Sequence, residues 1–174
     1  MPIHPGTGAP VTGAPTRLIA YSVALAALAV ALSPLSIPTG LAKVSPTQHF
    51  INVIAGALVG PWWGLAVALV TSLVRNALGL GTPLAFPGSV FGVVLAGLAY
   101  RYSRNVYLTA VGEVIGTGLI GATVGALLVA PYLMGKSIAL TVLILPFLLS
   151  SVVGAALGVA GLIVLRRLGY LRSA

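Results

Sequence analysis

The chain has no cysteine and only one acidic residue among its 174 residues. Without cysteine there can be no disulfide framework and no thiolate metal site. Charged residues make up only 6% of the sequence, whereas a soluble domain carries roughly 25%. Hydrophobic residues make up 59%, and the mean hydropathy is +1.13. The sequence therefore predicts an integral protein of the cell membrane.

The scarcity of acidic side chains also restricts the chemistry. Hydrolysis by paired carboxylates is excluded, because Glu113 is the only acidic residue. A metal centre would need three or more ligands, and only His49 and Glu113 are plausible. No phosphate-binding G-x-x-x-x-G-K-[ST] motif is present, so the chain does not hydrolyse ATP itself. We therefore predict a binding protein without a cofactor, and not an enzyme.

Apolar segments separated by Gly- and Pro-rich connections divide the chain into predicted helices. Residues 1–15 contain four prolines and no apolar run, and we predict that they form a disordered tail. Residues 16–174 then form one all-α domain with six transmembrane helices. The predicted helices are Thr16–Leu32, Thr47–Val59, Pro61–Asn76, Gly88–Arg104, Val106–Ala130 and Ser137–Leu168.

The basic residues predict the orientation of the domain. The net charge of +8 could indicate a nucleic-acid partner, but these residues lie at predicted helix ends and not in one patch. Six spans place both termini on one side, and the positive-inside rule makes the more basic side cytoplasmic. That side carries Arg17, Arg101, Arg104, Arg166, Arg167 and Arg172. Only Lys43 and Lys136 flank helices on the other side, so we predict cytoplasmic termini and no nucleic-acid partner.

The most informative stretch is Thr71–Gly88, where an apolar helix ends in a polar pair. Arg75 and Asn76 are adjacent, and a guanidinium near hydrocarbon is costly unless it faces a partner or a wet cavity. A stiff loop follows directly, with turn-forming residues at Gly79, Gly81, Pro83 and Pro87. We predict a small-ligand site at the external face of the membrane.

Small residues form a stripe along the first helix, which allows another backbone to approach closely. The stripe predicts either packing within the bundle or docking on another subunit, and the sequence leaves both open. Its members are Ala20, Ala24, Ala27 and Ala31.

Several motifs together resemble the ThiW family. They are P-T-Q-H-F-I-N-V at Pro46–Val53, G-P-W-W-G at Gly60–Gly64, S-L-V-R-N-A-L-G at Ser72–Gly79, G-T-P-L-A-F-P-G-S at Gly81–Ser89 and G-E-V-I-G-T-G at Gly112–Gly118. Members of this family are substrate-binding (S) components of energy-coupling factor (ECF) transporters, assigned to uptake of hydroxyethylthiazole, the thiazole precursor of thiamine.

The resemblance implies a six-helix S-component bundle, an external ligand pocket and a loop after the first helix that covers it. It also implies partners, namely a transmembrane coupling subunit and two cytoplasmic ATPase subunits that supply ATP hydrolysis. Small residues of the first helix would dock on the coupling subunit. Two alternatives remain, an S component for another small vitamin or metabolite and a membrane enzyme or assembly factor.

The predicted ligand contacts combine this implied substrate with the polar residues of the external end. Donors and acceptors for a neutral azole with a hydroxyl come from His49, Asn52, Arg75, Asn76 and Thr82. Phe86 would cover the ring, since small-ligand pockets are mostly apolar. Glu113 and Thr117 would form a polar floor. For His49, Arg75 and Glu113 the alternative is a structural role, in which they form hydrogen bonds within the protein and do not contact the ligand.

Overall fold

The computed structural model describes residues 13–39 and 42–171, which form a bundle of six helices. The prediction of a helical protein with six helices is confirmed. Residues 1–12, most of the predicted tail, lie outside the described part of the chain. The helices are α1 (Gly13–Ala31), α2 (Pro46–Leu58), α3 (Gly60–Ala77), α4 (Ala85–Ser103), α5 (Val106–Met134) and α6 (Leu140–Arg167).

The connection between α1 and α2 is a small β-hairpin and not an irregular loop. Strands β1 (Ile37–Thr39) and β2 (Ala42–Val44) pair antiparallel, with Ile37 opposite Val44. The Lys43 ammonium group donates a hydrogen bond to the Leu80 carbonyl oxygen at 2.9 Å. The hairpin is therefore fastened to the connection between α3 and α4.

The predicted start of α4 at Gly88 is wrong, because it lies three residues too late. The helix begins at Ala85, so Phe86 and Pro87 belong to its first turn. The first backbone N–H groups of a helix have no partner within the helix, so a proline is tolerated there. The same reasoning explains the first-turn prolines of α2 and α3, Pro46 and Pro61.

The predicted end of α5 at Ala130 is also wrong, because the helix continues through Pro131 to Met134. Two π-helical segments, Ile115–Gly121 and Gly125–Val129, lie within α5. The second π segment ends at Val129, two residues before Pro131, and its wider winding reduces the crowding between the proline ring and the carbonyl group four residues earlier. Gly135, with φ of 62°, ends the helix.

Glycines let the central helices approach closely. The spacing of four residues in Gly112/Gly116 and Gly154/Gly158 predicts such contacts. A Cβ atom on Gly112 of α5 would lie 2.7 Å from the Leu95 carbonyl oxygen of α4. A Cβ atom on Gly154 of α6 would collide with the Pro46 carbonyl oxygen of α2. Contacts of this kind join α4 to α5 and α2 to α6, so that polar side chains from different helices meet in the middle of the bundle.

Two helices of the described residues are long and apolar enough to cross a membrane, Val106–Met134 and Leu140–Arg167. Helix α2 has 13 residues and is therefore about 20 Å long, shorter than the ~30 Å hydrocarbon core. The outer surface of α5 and α6 is apolar, as expected of helices that face lipid. Its exposed side chains include Leu119, Leu127, Leu145, Leu149, Val152 and Leu157.

Candidate functional site

A small cavity of about 50 Å³ lies at the end of the bundle next to the β-hairpin, whose Lys43 forms part of its wall. A single water needs about 10–15 Å³, so the cavity can hold a few water-sized groups. Leu84 and Phe147 contribute apolar walls. Most of the other residues that line the cavity are polar, and they include Lys43, Ser45, Gln48, His49, Arg75 and Ser150.

Arg75, in the last turn of α3, links three parts of the site while only 3% of it is exposed. Its Nη1 donates to Gln48 Oε1 at 2.8 Å and its Nη2 donates to Ser45 Oγ at 3.0 Å. The Ser45 backbone N–H in turn donates to Ser150 Oγ at 2.7 Å. Arg75 thus holds the start of α2 and the base of the hairpin against α3, and it also lines the cavity.

Glu113 of α5 is fully buried directly behind the cavity wall. Its Oε1 atom lies 2.7 Å from His49 Nδ1, 2.9 Å from Thr117 Oγ1 and 3.2 Å from Asn52 Nδ2. A buried charge in an apolar bundle needs such partners. Glu113 pairs with His49 and not with Arg75. This agrees with the helix rise, which places Glu113 and Arg75 at depths that differ by ~11 Å when they are counted from Val106 and Pro61.

Glycines on α4 make room for this buried network. A Cβ atom on Gly92 would collide with Glu113 Oε2 and with Thr117 Oγ1. One turn earlier, the Gly88 carbonyl oxygen lies 2.6 Å from Thr117 Oγ1, which belongs to the first π segment of α5. The glycine surface of α4 therefore determines how deeply Glu113 and Thr117 can be buried.

The structure separates the predicted ligand residues into three groups. His49, Arg75 and Thr82 line the cavity. Glu113 and Thr117 are hydrogen-bonded to His49, Asn52 is hydrogen-bonded to Glu113, and none of these three residues is part of the wall. Asn76 and Phe86 are half-buried and lie outside the wall. Asn76 Nδ2 instead donates to the Ser72 carbonyl oxygen at 2.8 Å.

Other cavity residues were absent from the predicted set. Phe147 provides the aromatic side chain in the cavity wall that was expected from Phe86, and Ser150 supplies a hydroxyl group from α6. A serine pair within the apolar run of α6 was the available signal for Ser150. Gln48 precedes His49 in a polar helix start, which was the signal for Gln48. Nothing in the local sequence distinguishes Phe147 from a lipid-facing side chain.

The alanine stripe of α1 faces away from the bundle. Helix α1 packs on its neighbours through Leu25 and Ala29, which are 8% and 1% exposed. All four residues of the stripe are exposed, namely Ala20, Ala24, Ala27 and Ala31. The face that small residues would offer to another helix is therefore unoccupied by the described part of this chain.

These features are those of a helical bundle with an apolar outer surface and a small cavity lined mainly by polar residues. Among the described residues no group of three or more side chains could hold a metal ion. The family model of ThiW, described as a thiamine-precursor transporter protein, matches residues 19–168. The chain belongs to this family of membrane transporters, which confirms the resemblance seen in its motifs. Neither a curated protein nor a solved structure matches the chain.

Proposed function

We propose that the protein is the S component of an ECF importer and that it binds hydroxyethylthiazole. The observation that carries this proposal is the small cavity beside the hairpin in a chain that belongs to a thiamine-precursor transporter family. The sequence has no ATP-binding motif, so energy has to come from partner subunits. The partners would be a transmembrane coupling subunit and two ATPase subunits.

The cavity suits a neutral ring that carries one polar group. Phe147 and Leu84 offer apolar contact for the ring, whereas His49, Arg75 and Thr82 offer hydrogen-bonding groups. Small-ligand sites commonly combine apolar walls with a few placed polar groups in this way. Asn52, Glu113 and Thr117 would act by holding His49 in place. Direct ligand contact by Asn76 or Phe86 would require these half-buried side chains to turn.

We assign the coupling-subunit contact to α1. The exposed face of Ala20, Ala24, Ala27 and Ala31 would let a partner helix approach closely, as small-residue interfaces in membranes do. Apolar residues beside the stripe are exposed as well, Val23 by 63% and Leu28 by 45%. Packing of the stripe within its own bundle is the less favoured alternative, because the inward face of α1 is a different one.

We further propose that all six helices cross the membrane and that both termini are cytoplasmic. The short helix α2 would complete its crossing together with the hairpin that precedes it. Support comes from the two ends of the bundle. The cavity end carries Lys43, whereas at the opposite end Arg166 Nη2 donates to the Arg104 carbonyl oxygen at 2.8 Å. The more basic end would face the cytoplasm, which makes the cavity external.

Three measurements test the proposal. Mass spectrometry of the protein extracted in detergent should identify hydroxyethylthiazole as the retained ligand, and calorimetry should show its binding to the emptied protein. Affinity purification of the tagged protein from its native membrane should recover an ATPase module. A different retained metabolite would favour the alternative S component. Absence of both a ligand and an ATPase module would refute the proposal.

A further inference from the structure

The donor and acceptor roles in the buried network can be assigned step by step from Arg75. A guanidinium group only donates hydrogen bonds. Because Arg75 Nη1 lies 2.8 Å from Gln48, the atom it meets has to be the amide oxygen. The amide nitrogen of Gln48 then points to the other side, 3.4 Å from Asn52 Oδ1. Arg75 thereby fixes which way the Gln48 amide faces.

The orientation of Asn52 follows from two independent neighbours. Its Oδ1 atom accepts from the amide nitrogen of Gln48. Its Nδ2 atom lies 3.3 Å from the Ser89 backbone carbonyl oxygen, which can only accept. Both neighbours require the same orientation, and in it Asn52 Nδ2 donates to Glu113 Oε1 at 3.2 Å. Oε1 of Glu113 is therefore an acceptor.

The role of His49 is determined by this acceptor. Glu113 Oε2 is buried without a hydrogen-bond partner, so a proton on it would have no acceptor. The hydrogen between Glu113 Oε1 and His49 Nδ1, which lie 2.7 Å apart, is then assigned to Nδ1. The other ring nitrogen, Nε2, has no hydrogen-bond partner among the described residues. His49 lines the cavity, so Nε2 is the ring nitrogen available to a ligand.

We propose that Glu113 is a positioning residue that holds neutral His49 with the hydrogen on Nδ1, so that Nε2 accepts a hydrogen bond from the ligand's hydroxyl group. The site would thus select a small heterocyclic alcohol by its O–H donor. This inference rests on the proposed function and deepens it. A buried acceptor left without its donor loses the full hydrogen bond, so discrimination at this position is strong.

The unmodified protein can be tested with three ligands by calorimetry. They are hydroxyethylthiazole, its methyl ether and the 5-ethyl analogue that lacks oxygen. The ether keeps the acceptor oxygen but loses the donor hydrogen. We expect the ether and the ethyl analogue to bind about tenfold or more weakly than the alcohol. Equal affinity for all three would overturn the inference but leave the proposed function standing. An ether that binds as well as the alcohol would overturn it too, because Nε2 would then donate. Failure of all three to bind would refute the proposed function itself.

The positioning role of Glu113 has its own readout. The chain contains two histidines, so His4→Gln leaves His49 as the only ring in a ¹⁵N-histidine spectrum. We expect a protonated Nδ1 and an unprotonated Nε2, with the Nε2 signal shifting when the alcohol binds. In Glu113→Ala the preference for alcohol over ether should fall toward unity. Glu113→Gln, which retains an acceptor oxygen, should keep part of it. A spectrum with the hydrogen on Nε2, or an unchanged preference in Glu113→Ala, would contradict the proposal.

Discussion

In the middle of the bundle, the Oε1 atom of Glu113 on α5 lies 2.7 Å from the Nδ1 atom of His49 on α2. The single acidic residue of the chain is therefore hydrogen-bonded to a histidine from another helix and not to an arginine or a lysine. Removing a buried charge from its partners costs several kcal/mol in an apolar environment. His49 lines the cavity, so its hydrogen bond to Glu113 connects the contact between α2 and α5 to the cavity wall.

The glycine on α4 that faces this pair gives the first prediction. Gly92→Ala should lower both the melting temperature and the ligand affinity, because the new methyl group would meet Glu113 Oε2 and Thr117 Oγ1. Overpacking of this kind costs about 1–3 kcal/mol. Gly125→Ala is the matched control, since its Cβ would lie 3.3 Å from Leu84 Cδ2, the end of a flexible side chain. Thermal unfolding in detergent and calorimetry measure both effects. Equal melting temperatures for the two variants would contradict the packing explanation.

The second prediction concerns the exposed stripe of α1. Ala24→Trp should abolish uptake into cells while ligand binding to the purified protein stays normal, because the large ring holds the coupling subunit away. Ile19→Trp is the control, since Ile19 is 49% exposed but lies off the stripe. Uptake of labelled thiazole and pull-down of the ATPase module measure coupling. Loss of ligand binding in Ala24→Trp would show that the stripe serves the bundle itself.

The helices of this protein were predictable because long apolar runs identify them without knowledge of their neighbours. The hairpin was not, because β1 and β2 have three residues each and are too short for an alternating pattern to show. The start of α4 was placed too late because Pro87 looks like a helix breaker until it is known to lie in the first turn.

The site was predictable where a polar residue is costly in its own helix. Arg75, His49 and Glu113 stand out for this reason, and the structure joins all three to the cavity or its support. Ser150 could not be assigned, because its partner Ser45 lies 105 residues earlier and only the tertiary fold brings them together. Phe147 was not predicted for a similar reason, since only packing determines which aromatic ring reaches the cavity.

The third prediction concerns the orientation of the bundle in the membrane. The chain has no cysteine, so single cysteines can be placed without any background. Leu78→Cys, at a position 60% exposed near the cavity end, should react with an impermeant thiol reagent added to intact cells. Tyr102→Cys, at a position 82% exposed at the opposite end, should react only after the membrane is opened. Reversed labelling would place the termini outside the cell.

The last prediction tests whether the hairpin acts as the cover of the cavity. The Ser45 backbone N–H donates to Ser150 Oγ at 2.7 Å, and both residues are buried. Ser150→Ala removes the acceptor and leaves a buried N–H without a partner, which costs about 1–3 kcal/mol. We expect the base of the hairpin to open more often, so that hydrogen exchange at residues 42–45 and ligand dissociation both become faster. The neighbouring Ser151→Ala is the matched control, because Ser151 Oγ donates only to the Leu148 carbonyl oxygen within α6. Hydrogen exchange read by mass spectrometry and stopped-flow dissociation of the ligand measure the two effects. If Ser150→Ala speeds exchange at the hairpin while ligand dissociation stays at the rate of Ser151→Ala, the hairpin does not control access to the cavity.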